Sequence, residues 1–138
     1  MWWGATYVTL VGCAATAVDF RDAPSGPLAR FRLAVSPRVL DRRSDTWSSA
    51  PTSFYTVWIR RALARHAASS VSIGDPLVVH GSLRVWSGRG EERGGAEAVV
   101  DAMTVGHDLS RGTSAFRRAP GRSAAPAPLT EVQKGSVG

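Results

Sequence analysis

Lysine is nearly missing from this chain. Lys134 stands alone against sixteen arginines. Cysteine occurs once, at Cys13, so an intrachain disulfide, a CxxC pair and an all-cysteine zinc site are all excluded. The lack of disulfides fits a reducing compartment. Histidine is scarce too: His66, His80 and His107 are scattered, with no HExxH spacing, and read as surface or structural residues. Lys134 is followed by Gly, so there is no Walker A loop. There is no GxSxG elbow, and Gly121-Arg-Ser-Ala-Ala125 only approaches one. These gaps remove the usual enzymatic readings, and neither a metal nor a cofactor is expected. A membrane span needs about 20 largely apolar residues. The uncharged stretch before Asp19 is broken by Thr9 and Gly12. Ala14-Ala-Thr-Ala17 looks like a cleavage site, but no basic residue precedes it, as an export signal requires. No membrane association is expected.

What is present is positive charge and β-rich sequence. The 138 residues suit one domain and carry 17 Lys+Arg against 11 Asp+Glu, a balance of +6 that favours polyanionic partners. That charge is uneven. Residues 111–138 hold four Arg and Lys134 against Glu131, among Pro120, Pro126, Pro128 and many Ala, Ser and Gly. With little to bury, they read as a disordered basic tail behind a globular domain over 1–110.

Within that domain the pattern is mostly strand. Tyr7–Val11 is β-rich and stops at Gly12. Residues 14–27 read as loop, with turn residues at Pro24–Pro27, and 38–50 read as a polar loop holding Arg38, Arg42, Arg43 and Trp47. Leu28–Val35 alternates, with Phe31, Leu33 and Val35 on one face and Arg30 and Arg32 on the other. Phe54–Arg60 is the next strand, Ala62–Val71 a short Ala-rich helix, Pro76–Trp86 a strand, Gly88–Gly95 a hairpin tip and Ala96–Val105 the last strand. Three strands, a helix and a hairpin give an all-β, five-stranded OB barrel with its helix between the third and fourth strands.

Alternation then sorts side chains. Phe54, Thr56, Trp58 and Arg60 share one face of the third strand; Tyr55, Val57 and Ile59 share the other, which suits a core or a subunit contact. Arg84 and Trp86 lie opposite Leu83 and Val85. Three strands thus offer Arg or aromatic residues on the non-core face, and Trp47 adds a ring from its loop. Rings stack on bases and guanidinium groups neutralise phosphates, which suits unpaired nucleic acid. The bland alternatives stay open. A one-residue slip would turn Phe54 and Trp58 into core, Trp86 near a loop mouth fits core as well, and Arg30 and Arg32 could be solvated charges. Trp2 and Trp3 could pack at a subunit contact.

At this point the chain resembles bacterial single-stranded DNA-binding proteins. The resemblance runs from about Tyr7 to Leu109. It rests on Val8-Thr-Leu-Val-Gly12, Phe31-Arg-Leu-Ala-Val35, Phe54-Tyr-Thr-Val-Trp58 and Gly74-Asp-Pro-Leu-Val-Val-His-Gly-Ser-Leu-Arg84, in that order and spacing. Val105-Gly-His-Asp-Leu109 looks like the actinobacterial branch. The resemblance implies sequence-tolerant binding of single-stranded DNA in replication, recombination or repair, by a non-enzymatic homo-oligomer, tetrameric in the family. It implies a cytoplasmic, nucleoid-associated protein. Its DNA surface would hold Arg30, Arg32, Trp47, Phe54, Thr56, Trp58, Arg60, Arg84 and Trp86, and its subunit interface Tyr7, Thr9 and Tyr55.

The chain departs from the family's pattern in four places. Cys13 replaces the usual Asn, Thr16-Ala-Val-Asp19 replaces an Asp-Pro-Glu-like loop, and Arg60 sits where many members place another ring. The ending Pro128–Gly138 lacks the acidic tail and Pro-Phe tip that recruit partner enzymes, so recruitment of that kind is not expected. The missing tip keeps a second function in view: an OB protein-interaction adaptor, primosome-like, that binds DNA weakly. An RNA-binding OB domain is a third, since nothing here reads a 2′-hydroxyl.

Overall fold

The computed structural model describes residues 4–86 and 96–120, with Val39, Ser49 and Trp86 described by backbone alone. The elements run β1 (Thr6–Ala14), β2 (Asp19–Ala23), β3 (Gly26–Val35), β4 (Arg38–Asp41), β5 (Thr46–Ser49), β6 (Ser53–Arg60), α1 (Arg61–Ser70), β7 (Pro76–Trp86) and β8 (Glu97–His107). The main sheet is ordered β1-β7-β8-β6-β3-β2, and an added β1–β3 pairing closes five of its strands into a barrel. All the barrel ladders are antiparallel except β6–β8, which is parallel. The five barrel strands and the helix match the expected OB layout.

Closure depends on β1 serving two neighbours. Thr6 through Cys13 pair with β7, and Cys13 and Ala14 pair with Ala34 and Leu33 of β3. Gly12 sits at this corner. A Cβ there would lie 2.2 Å from the Ala34 carbonyl oxygen, so only glycine admits the approach. Gly81 does the same at the bulge between β7 and β8, where a Cβ would lie 2.2 Å from the Asp101 carbonyl oxygen.

The inner faces fill the barrel as the alternation required. Phe31 and Leu33 of β3, Val57 and Ile59 of β6, Leu77 and Val79 of β7 and Val100 of β8 are all buried. Side chains of this size contribute about 1.5–3 kcal/mol each when fully buried. Helix α1 packs chiefly on β3 and β6 through the small residues Ala64 and Ala67, with Leu63 half-buried beside them. Its entry is a sharp corner at Arg61, which takes φ 59°. Its exit is tied down: the Val71 N–H donates to the Ala67 carbonyl at 2.9 Å, and the Gly74 N–H donates to the Ala14 carbonyl at 2.7 Å. Among the described residues no helix is long and apolar enough to cross a membrane.

Two segments expected as loop are strands. Asp19–Ala23 zips onto β3 across a tight turn, with Gly26 at φ 120°. Its own sequence carries one large apolar residue, Phe20, so the ladder comes from its neighbour and not from its pattern. Arg38–Asp41 and Thr46–Ser49 pair as a separate hairpin, whose turn is held by the Arg43 N–H donating to Asp41 Oδ1 at 3.0 Å. Asp45 takes φ 57° in that turn, a conformation Asp tolerates. Val85 is a further correction: grouped with Leu83 as core-facing, it is exposed, because β7 runs past the end of the barrel there.

Candidate nucleic-acid interface

The β3–β6 ladder sets the geometry of the outer face. Its register places Arg30 opposite Trp58, Arg32 opposite Thr56, and Ala34 opposite Phe54. Each arginine covers a ring. The guanidinium carbon of Arg30 lies 5.4 Å from the Trp58 ring centroid, and that of Arg32 lies 5.2 Å from Phe54, one pair diagonally along. Such contacts are worth about 0.5–1 kcal/mol at exposed sites. They also hold the cations over the rings instead of letting them drift into solvent. Phe54 is 49% exposed, and Trp58 is half-buried.

The face continues onto β8 and β7. Parallel pairing sets Asp101 beside Trp58, and the β7 ladder sets Arg84 beside Val99. The Arg84 guanidinium donates to Asp101 Oδ2 through Nε at 3.1 Å, with its terminal nitrogen at 3.0 Å, and Arg60 approaches Oδ1 at 3.7 Å. Sequence reasoning missed Asp101. It is the one acid in Ala98–Val105, an apolar run that otherwise reads as barrel strand. At the other end of the face Arg30 lies 4.0 Å from Asp19.

Trp47 lies on β5, not in a loop, and is 58% exposed with the Arg38 guanidinium 5.9 Å from its ring. Its hairpin is a sheet apart from the barrel. Of the expected surface, Arg30, Arg32, Phe54, Thr56, Trp58, Arg60 and Arg84 thus come together on one face, with Trp47 on a separate hairpin. The Trp86 backbone pairs with Glu97, but its side chain lies outside the described residues, as do Trp2, Trp3, the hairpin tip and 121–138.

The residues expected at a subunit contact divide. Tyr7, Thr9 and Val11 share the outer face of β1, with Tyr7 and Val11 more than half exposed. Tyr7 stacks on His80 at 6.1 Å, and Thr9 Oγ1 hydrogen-bonds His80 Nδ1 at 2.9 Å. Tyr55 is elsewhere: it packs half-buried against its own chain's core, opposite Leu33.

A second polar cluster joins the end of β8 to the turn before β7. His107 hydrogen-bonds Asp75 through Nε2 at 3.1 Å and Ser114 through Nδ1 at 2.8 Å, beside a cavity of about 190 Å³. The Ser72 N–H donates to Asp75 Oδ2 at 2.9 Å. That bond above all, aided by His107, holds the Asp75 carboxyl below its ordinary range. Asp108 is lowered likewise, by the hydroxyl and N–H of Ser110. Residues 111–120 have no regular structure, and Ser114 fastens them to the barrel.

Comparison with known proteins gives one answer. The profile of the Single-strand binding protein family matches residues 5–106. Single-stranded DNA-binding protein 2 of Streptomyces avermitilis is 45% identical over 139 residues, covering 95% of this chain and 88% of that protein. Single-stranded DNA-binding protein 1 of Streptomyces coelicolor is also 45% identical, covering 89% and 79%. Among solved structures, the small single-stranded DNA-binding protein from Streptomyces coelicolor superposes with a TM-score of 0.72 at 43% identity, over 80% of this chain and 100% of that one. The second such protein from Mycobacterium smegmatis gives 0.66 at 26%, over 83% and 100%. The chain belongs to the single-strand binding protein family.

Proposed function

We propose that this chain binds single-stranded DNA with little base preference and protects it during replication, recombination or repair. The observation that carries this reading is the paired row of cations and rings on the outer β3–β6 face: Arg30 over Trp58 and Arg32 over Phe54. An unpaired strand presents both base faces and phosphates, and this surface answers both. A duplex hides its base faces and leaves the rings unused. Relatives that are 45% identical and named for binding single-stranded DNA support the same reading. It is a binding role, with no chemical step.

The chain would act as a homo-oligomer, a tetramer as in the family, with the outer face of β1 around Tyr7 and Thr9 as one contact between copies. Residues 1–110 form the binding domain. The basic segment 111–138 would add weak phosphate contacts. The cytoplasm, on the nucleoid, is where such a substrate occurs. Titrating intrinsic Trp fluorescence with dT oligomers tests the reading. Stacked bases should quench it in a saturable, salt-sensitive way. A flat titration at low salt overturns the proposal.

A further inference from the structure

The outer face carries an acid at its centre, where a surface built only to attract phosphate would carry none. Asp101 stands beside Trp58 in the β6–β8 ladder. Its Oδ2 accepts from Arg84, whose Nε and terminal nitrogen lie at 3.1 and 3.0 Å. Its Oδ1 is enclosed and has no hydrogen-bond partner among the described residues; Arg60, at 3.7 Å, supplies only an ion pair. One carboxylate thus holds two of the face's guanidinium groups while satisfying only half of its own acceptors. All three side chains keep access to solvent, at 46% for Arg84, 57% for Arg60 and 33% for Asp101.

We propose that Asp101 is a built-in competitor for the DNA phosphate, occupying Arg84 and Arg60 in the free protein and lowering the number of phosphates the face neutralises. This rests on the single-stranded DNA reading and adds a regulator of its affinity. The Arg84–Arg60–Asp101 group carries one net positive charge where two arginines alone would carry two. An exposed ion pair is weak enough for a phosphate to displace. A strand that docks must take Arg84 from Asp101 or share it, so binding is shallower in its salt dependence and release is quicker. Arg32, paired with no acid among the described residues, has no such competitor.

The test is the log–log salt dependence of dT-oligomer binding for the parent, Asp101→Asn, Arg84→Gln and the double variant, each checked for a cooperative thermal transition. Asp101→Ser repeats the measurement if the Asn form does not fold. Asp101→Asn should tighten binding at low salt and steepen the slope by about 0.7, one added phosphate, which is an extra loss of roughly 2.5-fold between 50 and 200 mM salt. Arg84→Gln should cut the slope by about 0.7 in the Asp101→Asn background and by clearly less in the parent. Weaker binding by Asp101→Asn, or an unchanged or shallower slope, overturns the proposal and leaves Asp101 as a support that orients Arg84. A parent that fails to bind dT removes the single-stranded DNA reading itself. A parent that binds while Asp101→Asn does not differ removes this inference alone.

Discussion

Arg30 and Trp58 face each other across the β3–β6 ladder, and the guanidinium carbon of Arg30 sits 5.4 Å from the centre of the Trp58 ring. The pair sets a cation and a ring side by side in one cross-strand step. Two positions along β3, Arg32 stands opposite Thr56 and reaches diagonally over Phe54 at 5.2 Å. A strand of alternating base and phosphate would meet rings and cations in alternation.

Phe54 is the cleaner of the two rings to remove, since it is half exposed and supports little of the core. Base–ring stacking is worth about 1–3 kcal/mol, so Phe54→Ala should weaken dT binding by roughly 5- to 150-fold. Its thermal midpoint should barely move. Trp58→Ala should cost similar affinity and also some stability, because Trp58 is half-buried. Parallel titrations and melting curves separate the two effects.

The two β3 arginines should differ in their salt behaviour. Arg30 shares Asp19 at 4.0 Å, whereas Arg32 is paired with no acid among the described residues. Arg32→Gln should flatten the log–log salt slope by about 0.7, and Arg30→Gln by less. Equal slopes for the two variants would show that the Asp19 contact does not matter in solution.

Gly12 supports closure of the barrel. The Cβ of Gly12→Ala would meet the Ala34 carbonyl oxygen at 2.2 Å, so β1 and β3 would have to part. Overpacking of this kind costs about 1–3 kcal/mol. Urea denaturation should show the loss, and a variant as stable as the parent would mean the corner has slack.

Acid should loosen the turn before β7. Because the folded Asp75 carboxyl titrates below its ordinary value, its stabilisation is complete above about pH 4 and falls away as pH drops through the lowered value. Asp75→Asn should therefore be less stable than the parent at neutral pH, and the gap should close as pH falls from about 4 through the lowered value. Denaturant midpoints of both proteins across that range provide the check. A gap that persists at the acid end would place the effect on shape, not on charge.

The outer face of β1 predicts where copies meet. Tyr7→Asp together with Val11→Asp places charge on two exposed apolar positions without touching the core. Sedimentation velocity should show a smaller species with an unchanged far-UV spectrum. A species of the parent's mass would move the contact elsewhere.

Strict alternation made the outer face of β3 and β6 readable from the chain. In Leu28–Val35 a slip of one residue would have buried Arg30 and Arg32; in Phe54–Arg60 the slip that makes Phe54 and Trp58 core stayed open, and burial of Val57 and Ile59 decides against it. The Ala-rich helix was equally plain. Asp19–Ala23 and the β4–β5 hairpin were not, because short polar strands owe their ladders to a neighbour and carry no period of their own. Asp101 was missed for a related reason. Its meaning depends on β8 lying parallel to β6 and antiparallel to β7, which brings Arg60 and Arg84 to it from two other strands. The bulge at His80/Gly81 shifts the phase of β8 within the strand, so no single alternation runs through it.

The most direct test of the account is an equilibrium titration of the parent and of a Phe54→Ala, Trp58→Ala double variant, with a dT oligomer and a duplex of equal length at matched salt. The parent should prefer the single strand strongly, and the double variant should lose about 1.5 decades or more of that affinity, at about 1–3 kcal/mol per ring. Its duplex binding, carried by arginine alone, should stay near the parent's. A parent that binds duplex as tightly as single strand, or a double variant that binds dT like the parent, would contradict it.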